Sequence, residues 1–216
     1  MWVALVMFPG VELAAQPKMG ETPQKPRFGL SGGMGVSYIN AGDIVDLVNA
    51  RSVTSRVSDF KAAVEFFAAV GVPISMNWII KFEYGYVLGT YNTTDPFGQP
   101  TEITFFAHLP SVIGQYVLVD EGLYNVKVGV GAGYHFGTYS ERLYDDFMGR
   151  GPGAVADLEA NTAFGEDFYA YLGGNLRWEF IGELKNRAGS PIIAGNPVPT
   201  MNFFGIGARL GFTYYF

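Results

Sequence analysis

From Phe204 to Phe216 every second side chain is apolar: Phe204, Ile206, Ala208, Leu210, Phe212, Tyr214 and Phe216. Between them stand Gly205, Gly207, Arg209, Gly211, Thr213 and Tyr215, mostly small or polar. A side-chain period of two belongs to a β-strand with one apolar face. A chain made of several such strands has few folds open to it, because each apolar face has to meet another apolar phase.

The same period recurs through the sequence. Phe28, Leu30, Met34, Val36 and Tyr38 share one face of a first strand, opposite Gly29, Ser31, Gly33, Gly35 and Ser37. A second strand is expected from about Ser58, with Phe60, Ala62, Val64, Phe66 and Ala68 apolar. The third is the clearest, with Met76, Trp78, Ile80, Phe82, Tyr84, Tyr86 and Leu88 alternating with Lys81, Glu83 and Gly85. In the fourth, apolar Ile103, Phe105, Ala107 and Leu109 give way to Val112, Gly114, Tyr116 and Leu118, which predicts a bulge and a switch of face at Pro110. The fifth runs from Tyr124 to Phe136 and the sixth begins near Ala154, with Asp157 and Glu159 on its polar face. The seventh opposes Phe168, Leu172, Leu176 and Trp178 to Tyr169, Arg177 and Glu179. Connections are long after strands one, three, five and seven and short after the others. The pattern predicts an all-β, eight-stranded antiparallel up-and-down barrel over residues 27–216, a transmembrane one with short periplasmic turns and long outer loops.

One segment breaks the period. In Gly42 to Ala50, Ile44, Leu47 and Val48 fall at helical spacing after Asp43, a plausible N-cap. A short helix is expected in the first outer loop, packed on the barrel rim or serving as a lid or partner contact. Residues 1–15 read as the apolar region and small-residue end of a secretory signal peptide without its basic n-region, and 16–26 as a flexible lead-in.

A net charge of −6 argues against a nucleic-acid partner. The absence of cysteine excludes disulfides, thiolate metal sites and thiol catalysis. No cofactor or metal site is read from the sequence.

Alternation alone fits a soluble barrel with apolar residues inside or a membrane barrel with them outside. The length of the apolar rows, aromatics near strand ends and a second face mixing glycine with both signs of charge favour the membrane form. The inward residues then include Lys61, Lys81, Lys127, Arg177 and Arg209 facing Glu65, Glu83, Asp157, Glu159 and Glu179. Eight strands enclose a space that side chains can fill, and buried charges have to be paired, so an ion-pair plug is expected. His108 and His135 are both expected on lumen faces in structural hydrogen bonds. The glycines of Gly129 to Gly133 have no following helix to make a phosphate site and are expected to give room to bulky lumen side chains.

The strand pattern and the closing strand resemble the small outer-membrane barrels of the OmpA, OmpX and OmpW type. In such barrels the final aromatic and alternate apolar residues, here Phe216, Tyr214, Phe212 and Leu210, are read by the barrel-assembly machinery. The resemblance implies a monomer in the outer membrane of a Gram-negative bacterium, with both termini periplasmic and lipid and lipopolysaccharide as neighbours. It implies a non-enzymatic envelope or surface role. The alternatives are a narrow, porin-like pore or carrier for small or hydrophobic solutes, or a lipid A-modifying barrel enzyme. The deacylase pattern, with a Ser two positions after a His, is missing: Gly137 follows His135 and Pro110 follows His108.

Overall fold

A computed structural model of the chain describes residues 27–51, 60–94, 98–141, 146–192 and 198–216. The expected signal and lead-in segments, and the first residues of the expected second strand, lie outside the described residues. Eight strands appear in chain order: β1 (Gly29–Asn40), β2 (Phe60–Pro73), β3 (Trp78–Thr94), β4 (Pro100–Asp120), β5 (Tyr124–Glu141), β6 (Phe147–Ala163), β7 (Phe168–Glu179) and β8 (Phe203–Tyr215). One helix, α1 (Gly42–Arg51), follows β1. Each strand pairs antiparallel with its neighbours in sequence, and β8 closes on β1, so the sheet has no edge. The opening strand pattern sets that seam: Leu30 stands opposite Tyr214, Met34 opposite Leu210 and Tyr38 opposite Ile206.

The apolar faces point out. Leu210 is 64% exposed, Val130 71% and Phe82 52%, while the alternate positions carry the buried charges. A water-facing surface does not present a continuous apolar band of this kind; a lipid-facing one has to. Aromatic rings collect at its two margins. Trp78 packs against Tyr116, and Phe168 against Phe212, near the end that holds the termini. Trp178 packs against Phe204 near the other. Phe204 and Tyr214 are ten residues apart on β8, about 33 Å of strand at ~3.3 Å per residue. Tilted by ~40°, that length covers the roughly 25 Å apolar band of an outer-membrane barrel.

Two expectations about strand limits are corrected. Strand β4 has no change of face at Pro110. Its ladder with β5 keeps one register on either side of the proline, from His108 opposite Phe136 to Ser111 opposite Gly133, and the irregularity lies between Val117 and Val119. Ile103, Phe105, Ala107 and Leu109 therefore point inward with Ser111, Ile113 and Gln115. What changes at Pro110 is the character of the lumen, which is apolar above it and polar below. His108 accordingly faces outward, where the Tyr84 hydroxyl meets its Nδ1 and the Tyr86 and Phe106 rings flank it. Strand β6 starts at Phe147 rather than near Ala154, because the glycines at 149, 151 and 153 sit on its inward face and hide the alternation.

Candidate functional site

The inward side chains form three zones stacked along the barrel. The first begins at the mouth that holds the termini, where a cavity of about 60 Å³ is lined by Arg27, Asn125, Lys127, Tyr169 and Tyr215 among others. Arg27 pairs with Asp167 at its rim. Lys127 Nζ donates to Glu159 Oε1 and to the Tyr215 hydroxyl, both at 2.8 Å. Lys81 donates to Asp157 at 2.6 Å and Glu159 at 3.2 Å, and Gln115 Nε2 bonds the same two carboxylates at 2.7 and 3.0 Å. Asn161, on β6, donates to Glu159 at 2.7 Å and accepts from Thr213 at 2.9 Å.

One level up, Glu83 takes Arg177 Nη2 at 2.5 Å and Arg209 Nη1 at 2.9 Å, with Lys81 at 3.4 Å. Glu65 is bonded by Arg209 Nη2, by the Ser37 hydroxyl at 2.6 Å and by Asn175 at 3.2 Å. Of the ten charged residues expected in the lumen, nine are buried inward-facing members of this zone and the next. The tenth, Lys61, has its backbone opposite Ile39 in β2, and its side chain lies outside the described residues. Sequence reasoning put Ser37, Asn161 and Asn175 on the inward faces of their strands without naming them, or Gln115, as members of the network. Asn161 and Asn175 share a face with charges two and four positions away, whereas the inward faces of β1 and β4 carry no charge to mark Ser37 and Gln115.

The second zone is one constellation. The imidazole of His135 bridges two strands: Ser111 Oγ lies 3.1 Å from Nε2, and Nδ1 pairs with Glu179 Oε2. Ser111 is directly opposite Gly133, Gly133 opposite Gly153, and Gly153 opposite Glu179. A Cβ on Gly133 would meet Nε2 of His135, and one on Gly153 would meet Nδ1 and the Glu179 carboxylate. The two glycines are the slot in which the ring lies. A search for Ser near His along the sequence could not find this set, because its members are joined across strands.

The third zone closes the other mouth and is apolar. Ile44, Val45, Leu47 and Val48 of α1 are all buried, on the single face that helical spacing gives them. They join Ile39, Val87, Tyr91, Ile103, Phe105, Leu109, Tyr139 and Phe203 of the barrel wall, and Ile181, Leu184, Ile192 and Met201 of the segment before β8. Asp43 is not the N-cap: the first helical bond runs from Val45 N–H to the Ala41 carbonyl. Its carboxylate instead accepts the Thr200 N–H at 3.1 Å and hydroxyl at 2.5 Å, tying α1 to the β7–β8 segment. Among the described residues the expected ion-pair network is therefore joined by an apolar cluster built around α1.

An inside-out, closed, eight-stranded barrel of this kind has counterparts among solved structures. Neisserial surface protein A is similar over 88% of this chain and 97% of its own, with 9% identity and a TM-score of 0.57. The fold is that of a small outer-membrane barrel. Ail, the attachment invasion locus protein of Yersinia pestis, covers 88% of this chain and 98% of its own at 7% identity and a TM-score of 0.49. OprG from Pseudomonas aeruginosa covers 88% and 95% at 11% identity, also with a TM-score of 0.49. No protein-family model and no curated protein sequence matches the chain. At such identities the shared property is the barrel, and its lumen has to be read from its own residues.

Proposed function

We propose that the chain is a monomeric integral outer-membrane protein of a Gram-negative bacterium, with both termini periplasmic. Its lumen does not conduct, and its role in envelope integrity or surface contact lies with its outer face and outer connections. The observation that supports this most is the presence of two closures in series, the ion-pair network below and the stopper around α1 above. Lipid and lipopolysaccharide are the surroundings that the exposed apolar band fits. Phe216, Tyr214, Phe212 and Leu210, all on the outer face, are offered to the assembly machinery.

Single-channel recording in planar bilayers tests the closed lumen. Protein whose insertion is verified by protease protection is expected to give no discrete steps, and Lys81→Gln or Arg177→Gln alone to give none either, since the stopper remains. Stable steps that these substitutions alter would favour the pore reading.

A further inference from the structure

Ser111, His135 and Glu179 meet in the hydrogen-bond order that activates a serine hydroxyl. A carboxylate on Nδ1 favours the tautomer whose Nε2 lone pair faces the hydroxyl 3.1 Å away, with the Leu109 carbonyl at 3.3 Å as the other acceptor within reach of that hydroxyl. Pairing a buried histidine with a carboxylate does not by itself require a serine at the far nitrogen, nor a two-glycine slot that holds the ring between them.

Two surroundings add to this geometry. Arg177 is 2% exposed, and its Nε and Nη1 make no hydrogen bond, standing in ion-pair contact 3.6 Å from Glu65 and 3.8 Å from Glu179. Its Nη2 is bonded to Glu83, the residue directly across the β3–β4 ladder from Ser111. Directly opposite partners on one face have Cβ atoms about 5 Å apart, so the guanidinium held by Glu83 lies near the level of the serine. On the other side the constellation borders the apolar zone. Leu109 precedes Ser111 on the inward face, and Met201 and Ile181 lie over Gly137, the inward residue after His135. Nucleophile, base, cationic group and an adjoining packed apolar cluster together fit an acyl ester.

We infer that this constellation is a latent ester-hydrolysing site for fatty-acyl esters, with Ser111 as nucleophile. It goes beyond the closed-barrel reading and does not depend on it, since hydrolysis needs access to one mouth and no through-path. An acyl chain enters from the α1 end and takes the place of the helix's apolar face. The Ser111 oxygen forms a bond to the ester carbonyl carbon while its proton passes to His135 Nε2. The carbonyl oxygen, now negative, is met by Arg177 Nε or Nη1, whose approaches to Glu65 and Glu179 are longer than hydrogen bonds. The bond to the alcohol oxygen then breaks, and the alcohol leaves with the proton from Nε2. Water repeats the sequence on the acyl-serine, giving its proton to Nε2, releasing the carboxylic acid and returning Ser111 to its hydroxyl form. Glu179 touches no reacting atom and serves as the positioning residue for His135.

The test uses the full chain refolded in micelles, a fluorophosphonate probe and p-nitrophenyl esters of four, eight and sixteen carbons. Asp43→Ala and Leu47→Glu loosen α1 and are expected to raise the rate of adduct formation at Ser111 at least tenfold over the wild type. Ester turnover is expected to favour the longer chains. Ser111→Ala abolishes both signals while keeping heat-modifiable migration, and Glu179→Gln slows labelling by roughly 10²- to 10⁴-fold. Conductance is measured on the same preparations, so failure here and failure of the closed-lumen reading are told apart. No adduct at Ser111 in the folded wild type and in folded Asp43→Ala overturns the inference, as does hydrolysis that persists in Ser111→Ala.

Discussion

Glu83→Ala is expected to lower the unfolding free energy of the barrel by about 3–5 kcal/mol, the cost of breaking a buried charge network from one side. Glu83 sits at the junction of the network: Arg177, Arg209 and Lys81 all converge on its carboxylate. Without it, Arg209 keeps Glu65, and Arg177 keeps only longer approaches of 3.6 Å to Glu65 and 3.8 Å to Glu179. Two guanidiniums then share Glu65, with Glu179 at the longer distance, among buried side chains. The double variant Glu83→Ala/Arg177→Ala removes a charge of each sign and is expected to lose less than the sum of the two single variants. Equilibrium unfolding in urea, followed by tryptophan fluorescence in micelles or vesicles, measures both. Loss of less than 1 kcal/mol in Glu83→Ala would mean that the lumen is wet enough to solvate the freed cations.

Leu210→Arg, on the opposite face of the same wall, is expected to cost about 2–4 kcal/mol in bilayers. Leu210 is flanked on the outer face by Met34 of β1 and Leu172 of β7, near the middle of the apolar band. An arginine there has to hold its charge in hydrocarbon or reach for an interface. Placed at Ala188, in the exposed turn after Lys185, the same substitution is expected to stay within 0.5 kcal/mol. Unfolding from lipid vesicles measures both. Equal effects at the two positions would remove the lipid from around Leu210.

Much of the barrel is legible in the sequence because a membrane wall writes one simple rule, apolar out and anything else in. The rule held where the inside was glycine or charge, as in β3, β5 and β8. It failed in β4, where the inside is itself apolar. Ile103, Phe105, Ala107 and Leu109 pack in one cluster with α1, and an apolar row facing inward has the same period as one facing lipid. That ambiguity produced the expected bulge at Pro110 and put His108 on the wrong face. Strand β6 was shortened for a related reason: Gly149, Gly151 and Gly153 carry no side chain to show which way they point.

The charged lumen residues were readable one strand at a time, whereas their pairing was not. Glu65 on β2 meets Arg209 on β8, and Lys81 on β3 meets Asp157 on β6, across a lumen whose register no single strand encodes. The Ser111, His135 and Glu179 set is the sharpest instance. Its three strands, β4, β5 and β7, are brought into register by the successive ladders through β6, and the trace in the sequence is a pair of glycines left where the imidazole lies.

With no native cysteine to remove, single spin labels can be placed along β8 from Phe204 to Thr213 in bilayers. Oxygen, which dissolves in lipid, and a water-soluble nickel chelate then report on each position. An inside-out barrel predicts that Ile206, Ala208, Leu210 and Phe212 are open to oxygen and shielded from nickel, with Gly207, Arg209 and Gly211 shielded from both. Labels at the even-numbered positions that are immobilised and closed to oxygen, or freely reached by nickel, would contradict it.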